Sequence, residues 1–487
     1  MTDSEAAPFL PNADPRRFGG MRVTVMGLGT FGGGLGAVQF LLDRRARVTV
    51  TDLRTREQLT SSLSQIDESR LERLVLGEHR EQDFVETDLV VVNPAVRPTG
   101  NRYLELAGQA EVPLTSEINL FWQHCRGRII GVTGTVGKST TATLIHQCLA
   151  ASGRRAWLGG NIGTSLLPEV DAIAAADWVV LELSSFQLTY LADLSPAPDV
   201  AVVTNLFPNH LDWHPSISHY REAKQALLEW QRRDQYAVLN QDDEDVRDWP
   251  TQAARIPFGV NEVRDAGGAW TNAEGIRLVS GAYEWKVLWS DIAEPLRHQH
   301  LRSNAAAAWA AMLAVESIEA GQDANHFDAT RVMRSAGGLH EFQMLPHRLQ
   351  RVVERDGRTF WNDSKATTPQ AAIAAISSLG CPVVWIGGGK DKGVDLAELA
   401  HAAARTCRAV IVMGETASRL SEQIGRLASI PVRIADGLED AVSLALQESL
   451  PGDAILLSPG CASDREFLNY EQRGDRFQQL ASGHEPM

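Results

Sequence analysis

The chain has 487 residues, of which 44% are apolar and 22% are charged. These proportions are typical of a globular protein, and the length suffices for roughly two to four domains. A formal net charge of −15 argues against a general nucleic-acid-binding surface. The five cysteines are scattered without CxxC pairs, so we expect free thiols in a reducing compartment rather than disulfides or a zinc site.

The start of the chain does not resemble an export signal. Met1–Asp14 is acidic and lacks the basic start and the apolar stretch of a signal peptide. No apolar run in the sequence has the length that a bilayer-spanning helix needs. We therefore expect a monomeric cytoplasmic protein without nucleic-acid or membrane partners.

A glycine-rich turn follows the first predicted strand. The strand Met21–Met26 leads into G-L-G-T-F-G at Gly27–Gly32 and then into a helical pattern. A second strand, Arg47–Thr51, ends at the acid Asp52. This order is typical of dinucleotide-binding units. The same arrangement can hold another diphosphate at the helix N-terminus, so these residues alone leave NAD and other diphosphates open.

A phosphate-binding loop lies in the middle of the sequence. Apolar residues at Ile129–Val132 predict a strand that leads into T-G-T-V-G-K-S-T at Thr133–Thr140, and an apolar-periodic helix follows. Glycines let backbone N–H groups approach phosphate oxygens, Lys138 supplies a positive charge, and Ser139 offers a hydroxyl to Mg²⁺. We therefore predict that the chain binds a nucleoside triphosphate.

Two later strands run into polar loops. Trp178–Leu183 carries Glu182 near its end, and Val200–Thr204 is followed by a loop that contains His210. In an open parallel sheet the carboxyl ends of the strands form the ligand side, so both side chains are candidate Mg²⁺ or phosphate partners. Lys224 lies on a predicted helix, where a single lysine is most simply interpreted as solvated.

Alternating strands and helices continue to the C-terminus. An alanine-rich helix is predicted over Ala305–Ala314. Later strands are predicted at Arg348–Val353, Thr359–Asn362, Val383–Ile386, Ala409–Met413 and Ala454–Leu457. The pattern predicts an α/β fold with three consecutive α/β domains. We expect a Rossmann-like N-terminal domain (1–124), a P-loop ATPase-like central domain (125–344) and a Rossmann-like C-terminal domain (345–487).

Taken together, several motifs in one order resemble those of the Mur ligases, which are ATP-dependent amide-forming enzymes of peptidoglycan precursor synthesis. The motifs are T-G-T-x-G-K-S-T at Thr133–Thr140, E-L-S-S-F-Q at Glu182–Gln187, N-L-x-P-N-H-L-D at Asn205–Asp212, Y-R-x-A-K at Tyr220–Lys224, L-P-H-R at Leu345–Arg348, N-D-S-K-A-T at Asn362–Thr367 and L-L-S-P-x-C-A-S at Leu456–Ser463. Within the family, the N-D-S-K-A-T block and Ser139 resemble the branch that adds D-glutamate to UDP-N-acetylmuramoyl-L-alanine.

The resemblance implies partners and cofactors that the residues alone leave open. Its substrates would be ATP, glutamate and UDP-N-acetylmuramoyl-L-alanine, with Mg²⁺ as the cofactor and an acyl phosphate as the intermediate. The first unit would then hold UDP rather than NAD. The residues implied for the UDP-sugar are Gly27, Gly29, Thr30, Asp52, Arg54, Asn161 and Ser184.

The resemblance also implies the residues of the remaining sites. ATP would be bound by Gly134, Thr135, Gly137, Lys138, Ser139, Thr140, Asn304, Arg348 and Asp363. The catalytic residues would be Lys138, Glu182, His210 and Lys224, and the metal ligands Ser139, Glu182, His210 and a carbamylated Lys224. The incoming amino acid would lie near Lys365, Thr367, Lys392, Ser463 and Tyr470.

Three alternative functions differ in which of the motif residues they explain. A ligase of the same fold could use L-glutamate or another acceptor, such as a folate polyglutamate chain, although a UDP-binding turn has no role in folate chemistry. An NAD-dependent oxidoreductase built on Gly27, Gly29 and Gly32 would leave Lys138 and the third α/β domain unexplained. A non-catalytic nucleotide-binding regulator would leave unexplained the joint presence of Glu182, His210, Lys224 and Lys365.

Overall fold

The computed structural model of the chain describes residues 18–29, 32–162, 165–210, 213–260, 267–281, 283–321, 328–342, 346–379, 381–391, 394–463 and 466–483. Thr30 and Lys392, two of the predicted site residues, lie outside this part of the chain. The fold divides into two compact units. The first comprises Met1–Leu206, Trp213–Val287 and Ala306–Leu339, and the second comprises Phe207–Asp212, Leu288–Ala305 and His340–Met487.

The first sheet of the first unit has five parallel strands in the described residues. They are β1 (Arg22–Met26), β2 (Arg47–Asp52), β3 (Arg73–Leu76), β4 (Leu89–Val92) and β5 (Leu114–Ser116). The accompanying helices are α1 (Gly33–Asp43), α2 (Thr60–Leu63), α3 (Gln82–Val85), α4 (Arg102–Gln109) and α5 (Glu117–His124). The strand order is β3-β2-β1-β4-β5. It reverses between β1 and β4, which is the position where open α/β sheets bind ligands.

The second sheet has nine strands within the described residues. They are β6 (Arg128–Thr133), β7 (Ala156–Gly160), β8 (Trp178–Glu182), β9 (Val200–Val203), β10 (Tyr236–Asn240), β11 (Ala254–Gly259), β12 (Gly268–Thr271), β13 (Gly275–Ser280) and β14 (Tyr283–Leu288). Their order is β14-β13-β12-β11-β10-β9-β6-β8-β7. Strand β6 lies between β8 and β9 and is parallel to both, so their three carboxyl ends meet at one edge of the sheet.

Six helices accompany this sheet along the described part of the chain. They are α6 (Lys138–Ala151), α7 (Ser185–Leu191), α8 (Ile217–Glu229), α9 (Gln299–Ala320), α10 (Ala329–Ser335) and α11 (Gly337–His340). The predicted helix Ala305–Ala314 is too short. The alanine pattern marks only the buried middle of α9, whereas its C-terminal end is held by buried Glu316 and by Glu319, which both pair with Arg154.

The third sheet belongs to the second unit. Its strands are β15 (Gln350–Arg355), β16 (Arg358–Asn362), β17 (Val383–Gly388), β18 (Cys407–Met413), β19 (Val432–Ile434) and β20 (Ala454–Leu457). Its helices are α12 (Pro369–Ser378), α13 (Ala397–Thr406), α14 (Ala417–Leu427), α15 (Leu438–Glu448) and α16 (Tyr470–Ala481). The strand order is β15-β16-β20-β17-β18-β19. Strand β15 is antiparallel to β16, and the other neighbours run parallel.

One predicted strand of this sheet begins later than expected. Arg348 was placed in a strand, but the strand starts at Gln350 because His347 and Leu349 have φ values of 60° and 40°. A left-handed backbone is incompatible with an extended strand, so Arg348 lies in a turn. The predicted α/β fold class is confirmed by the three sheets. No helix in the described part of the chain is both long and apolar enough to cross a membrane.

Candidate active site

The phosphate-binding loop connects β6 to α6, as predicted. Gly137 is the residue before the first turn of α6, and Gly134 has a φ of 141°. A Cβ atom at Gly134 would overlap the hydroxyl of Thr204, so the loop requires glycine there. The first turn of α6 contains Ser139 and Thr140, both buried, which places the N-terminal end of the helix dipole at the loop.

Asn205, which lies two residues after the end of β9, stabilises the conformation of the phosphate-binding loop. Its Oδ1 accepts hydrogen bonds from the N–H groups of Thr135 (3.2 Å) and Val136 (2.8 Å). Its Nδ2 donates to the carbonyl oxygen of Val136 at 2.9 Å. The sequence placed Asn205 in a motif but gave no indication of this role, which depends on β6 and β9 being neighbours.

Lys138 contacts the loop that precedes it. Its Nζ donates a hydrogen bond to the carbonyl oxygen of Thr135 at 2.8 Å, and the Thr135 hydroxyl lies 3.1 Å from the hydroxyl of Tyr220. The lysine therefore lies over the loop where a phosphate would be bound. Tyr220 links the loop to α8.

Lys224 is buried beside the same loop, so its interpretation as a solvated lysine was wrong. Helix α8 buries Tyr220, Lys224 and Leu227 on one face, which is the helical spacing. The Lys224 side chain is 1% exposed, and its Nζ donates to the carbonyl oxygen of Gly134 at 2.8 Å. Burial, followed by the charge of Lys138, lowers the pKa of Lys224 well below its usual value, against the opposing charge of Glu182.

Glu182 is the last residue of β8 and is 2% exposed. Its Oε1 accepts a hydrogen bond from Nδ2 of Asn161 at 3.0 Å. Its Oε2 is buried and has no hydrogen-bond partner in the described residues. A buried carboxylate oxygen without a partner is unfavourable, and a bound cation would satisfy it. The site therefore fits a divalent metal, although the described residues contain no cluster of three histidine, cysteine or acidic side chains.

The glycine turn after β1 is organised by Asp52. This side chain is 3% exposed, and its two oxygens accept hydrogen bonds from the N–H groups of Gly29 (3.0 Å) and Arg54 (2.9 Å). Gly29 has a φ of 65°, and Gly27 lies against Asn93 of the neighbouring β4 loop. Asp52 therefore stabilises the glycine turn. It also holds the backbone of Arg54 at the carboxyl edge of the sheet.

Asn161 and Ser184, the two remaining residues implied for the sugar substrate, also have structural contacts. The Asn161 N–H donates to the carbonyl oxygen of Glu182 at 2.8 Å. The Ser184 hydroxyl is the N-terminal cap of α7 and forms a reciprocal capping box with Gln187. Both residues lie beside β8, and the Ser184 hydroxyl is already used in stabilising the helix.

Two aromatic side chains connect the first sheet to the second within the first unit, and the sequence did not indicate them. Trp213 donates its Nε1 hydrogen to the carbonyl oxygen of Ala95 at 3.0 Å. The Tyr190 hydroxyl donates to the carbonyl oxygen of Val96 at 2.7 Å. Asn93, at the start of the same loop, donates to the carbonyl oxygen of Gly27 at 3.2 Å. This loop, Asn93–Val96, therefore contacts the glycine turn and the middle region together.

The predicted ATP contacts Asn304, Arg348 and Asp363 all belong to the second unit. Asn304 lies on α9 and is 7% exposed. Asp363 follows β16, and its oxygens accept hydrogen bonds from the Ser458 hydroxyl (2.7 Å) and the Leu349 N–H (3.0 Å). Burial raises the pKa of Asp363 to about 6.

Four of the residues that were predicted to bind the amino acid lie around the carboxyl edge of the third sheet. They are Lys365, Thr367, Ser463 and Tyr470. The Lys365 Nζ lies 5.4 Å from the ring centre of Tyr470. The Ser463 hydroxyl is buried and has no hydrogen-bond partner in the described residues. Buried Arg473 donates to the hydroxyl (3.0 Å) and carbonyl (2.8 Å) oxygens of Ser364, which precedes Lys365.

A pocket opens at this edge. Its lining includes Thr367 after β16, Cys461 after β20, Lys390 after β17 and Arg419 on α14 after β18. The N–H of Lys390 donates to the carbonyl oxygen of Ala462 at 3.0 Å, which ties the loops after β17 and β20 together. The pocket therefore spans four neighbouring strands of the sheet.

His210 belongs with Asn209 to the segment Phe207–Asp212, which is grouped with the second unit, and both line this pocket. His210 has a φ of 55°, and its N–H donates to Oδ1 of Asn209 at 2.9 Å. Histidine is among the residues that tolerate this left-handed conformation. The left-handed conformation of His210 sets the direction of the chain in the loop that follows β9.

Models of known protein families match three consecutive parts of the chain. The model "Mur ligase MurD-like, N-terminal domain" matches residues 21–116. "Mur ligase middle domain" matches residues 132–312, and "Mur ligase, glutamate ligase domain" matches residues 347–461. These matches include the phosphate loop and the third sheet, which the NAD-dependent alternative left unexplained.

Curated relatives match nearly the full chain. A protein of Symbiobacterium thermophilum named UDP-N-acetylmuramoylalanine–D-glutamate ligase is 35% identical over 464 residues, which are 94% of this chain and 97% of that protein. A protein of Roseiflexus with the same name is 36% identical over 475 residues, with 95% and 98% of the two chains covered.

Solved structures show the same fold at low sequence identity. UDP-N-acetylmuramate-alanine ligase from Thermotoga maritima matches with a TM-score of 0.60 at 16% identity, covering 96% of this chain and all of that one (100%). MurF ligase from Thermotoga maritima in complex with ADP matches with a TM-score of 0.55 at 16% identity, covering 100% of both chains. The three family models and the curated relatives show that the chain belongs to the Mur ligase family.

Proposed function

We propose that the chain is an ATP-dependent ligase that joins D-glutamate to the alanyl carboxylate of UDP-N-acetylmuramoyl-L-alanine. The observation that carries the proposal is that relatives with this named activity are 35% and 36% identical over 94% and 95% of the chain. The buried polar groups around the phosphate loop support it, because a protein that only bound nucleotide would not need Lys224 and Glu182 behind the loop.

The chemistry proceeds in two displacements. An oxygen of the alanyl carboxylate attacks the γ-phosphorus of ATP, and the bond to the leaving ADP breaks, which gives an acyl phosphate. The amine of glutamate then attacks the acyl carbon, the carbon–oxygen bond to phosphate breaks, and the amine loses a proton. The enzyme contributes mainly by positioning the reactants and by neutralising the charge that they carry.

The residues of the loop have defined parts in this scheme. Lys138 would exchange its contact with the Thr135 carbonyl oxygen for one with the β- and γ-phosphates. Gly134, Thr135, Gly137 and Thr140 would provide backbone N–H groups or a hydroxyl to phosphate oxygens. Asn304 would contact adenine, Asp363 the ribose and Arg348 the phosphates.

Mg²⁺ fits the Oε2 atom of Glu182, which has no hydrogen-bond partner in the described residues. Ser139 and Glu182 would hold the metal, with His210 and Lys224 as further ligands. When bound, Mg²⁺ would neutralise phosphate charge. We propose that Lys224 binds Mg²⁺ as a carbamate. The neutral amine attacks CO₂, a C–N bond forms while one C=O double bond becomes a C–O⁻ bond, and the nitrogen loses a proton. Its burial and its lowered pKa support this, because only the neutral amine is nucleophilic.

The substrate sites follow the sheets. The glycine turn with Gly27, Gly29, Thr30, Asp52 and Arg54 would hold the UDP group, and Asn161 and Ser184 the sugar-peptide. Lys365, Thr367, Lys392, Ser463 and Tyr470 would surround glutamate. Domain boundaries at 124/125 and 344/345 are supported by the sheets, because each sheet lies within one of the three segments. ATP and UDP-sugars are cytoplasmic metabolites, so the proposed reaction belongs in the cytoplasm.

Phosphate release tests the proposal. ATP, Mg²⁺ and UDP-N-acetylmuramoyl-L-alanine are supplied with D-glutamate in one reaction and with L-glutamate in another. Release that depends on D-glutamate is expected. Release only with L-glutamate would keep the mechanism and change the amino-acid specificity, whereas no release with either amino acid would overturn the choice of acceptor.

A further inference from the structure

The loops that line the C-terminal pocket occur in a fixed order along the sheet. The strand order β16-β20-β17-β18 places Thr367 at one end of the pocket and Arg419 at the other. Neighbouring strands are about 4.8 Å apart, so the two ends are separated by several ångströms even where the loops converge. A small extended molecule can therefore have its two ends recognised by different loops.

Arg419 is fixed at its end of the pocket but is not fully hydrogen-bonded. Its Nη2 donates to Oδ1 of Asp391 and to the carbonyl oxygen of Val394, both at 3.1 Å. Its Nε is buried and has no acceptor in the described residues, and its side chain remains 37% exposed. A guanidinium has five N–H groups, so this one has donors left for an anion.

The charges around Arg419 also favour an anionic ligand. Asp391 lines the same pocket and alone would repel a carboxylate, but Arg419 pairs with it. Lys390 is a second cation in the lining, so these three charged residues carry one net positive charge. The pocket wall near β17 and β18 therefore attracts a carboxylate rather than excluding it.

We infer that Arg419 binds the side-chain carboxylate of the incoming amino acid and thereby selects a dicarboxylic substrate. This rests on the proposed function, in which the amine must reach the acyl phosphate. Arg348 and Asp363, proposed for ATP, flank β15 and β16, so the amine end belongs at the β16 end of the pocket. The side chain then extends toward β18, where the positive charge of Arg419 and the N–H donors that it has left suit a carboxylate.

The experiment compares two amino acids that differ only in this group. kcat/KM is measured for D-glutamate and for D-glutamine, whose side chain ends in an amide, in the full-length enzyme and in Arg419→Gln. The variant should lose about 10- to 100-fold in kcat/KM for D-glutamate, as expected for a lost charged hydrogen bond, and keep its value for D-glutamine. Arg419→Lys should recover part of the loss, because it keeps the charge.

Controls separate this inference from the proposed function. Arg426→Gln changes an exposed arginine of the same helix and should alter neither value. If the unmodified enzyme shows no turnover that depends on D-glutamate, the proposed function fails. If it does turn over and Arg419→Gln leaves the ratio of the two kcat/KM values unchanged, the inference about Arg419 is overturned. An equal loss for both amino acids in the Gln and Lys variants would also overturn it, since that indicates a structural role only.

Discussion

At the scale of single residues, burial gives Lys224 a chemistry that a surface lysine lacks. The side chain is surrounded by Gly134, Thr133 and Tyr220, with its Nζ 4.6 Å from the tyrosine ring centre. Desolvation favours the neutral amine, which is the form that can react with CO₂. Lys224 shares a helix face with Tyr220 and Leu227, and this spacing predicts its burial. The prediction was missed because a charged lysine is normally exposed to solvent.

Lys224→Ala should reduce turnover by about a hundredfold or more, because a group that supports the metal is lost. Added formate or acetate should restore part of the activity by occupying the vacated space as a carboxylate. Steady-state rates with and without these anions measure the effect. Lys286→Ala, at an exposed lysine, is the matched control. A complete lack of rescue, with the variant folded, would contradict the carbamate.

Glu117 should make the stability depend on pH. This first residue of α5 is 7% exposed and accepts a hydrogen bond from the Ser165 hydroxyl. Burial raises its pKa from 4.5 to about 7, so the folded state retains a proton that the unfolded state loses. Stability from this group is therefore fully present below pH 4.5 and falls as the pH rises to about 7, by about 3 kcal/mol.

Urea denaturation between pH 4.5 and 8 measures this contribution. Glu117→Gln has no proton to lose, so the decline should be smaller by that amount in the variant. Glu105→Gln, at an exposed acid of α4, should keep the decline of the unmodified chain. Parallel curves for the unmodified chain and Glu117→Gln would show that Glu117 is ionised in the folded state.

At the scale of elements, the loop Asn93–Val96 joins the glycine turn of the first sheet to the middle region. Its contacts come from Asn93 on one side and from Trp213 and Tyr190 on the other. We expect it to position the turn that would hold the UDP group. None of these partners could be paired from the sequence, because the contacts join residues that are 66, 94 and 118 positions apart.

Trp213→Phe keeps an aromatic ring at this position and removes the hydrogen bond to the carbonyl oxygen of Ala95. The loss of one such bond should raise KM for the UDP-sugar substrate by about 2- to 10-fold and leave KM for ATP unchanged. Calorimetric binding of the UDP-sugar without ATP provides a second measurement. Trp230→Phe, at a tryptophan that is 47% exposed, is the control. Equal changes in both KM values would argue for a general destabilisation instead.

Element positions were predicted best where the local pattern was complete. The strand Ala454–Leu457 has the predicted bounds, because it is a short apolar run between polar turns. The helix α9 extends beyond its alanine stretch because of the Arg154 pairs, which are long-range contacts. The turn at Arg348 depends on the φ values of its two neighbours, which carry no sequence signal.

At the scale of the whole molecule, the sequence predicted three α/β segments, and the described part of the chain forms three sheets. The loop between β6 and α6 was predicted from its sequence, because glycine, lysine and hydroxyl groups have few other uses in that order. The residues that stabilise this loop, such as Asn205, were not predicted, because their contacts are set by strand order. The grouping of Phe207–Asp212 and Leu288–Ala305 with the third sheet likewise depends on tertiary contacts alone.

The central claim is that ATP activates the alanyl carboxylate as an acyl phosphate. The most direct test uses UDP-N-acetylmuramoyl-L-alanine labelled with ¹⁸O in that carboxylate, together with ATP, Mg²⁺ and D-glutamate. One carboxylate oxygen should leave with the phosphate, so mass spectrometry should find one ¹⁸O atom in each inorganic phosphate released. Amide product accompanied by unlabelled phosphate would contradict the account, because the carboxylate would then not have attacked ATP.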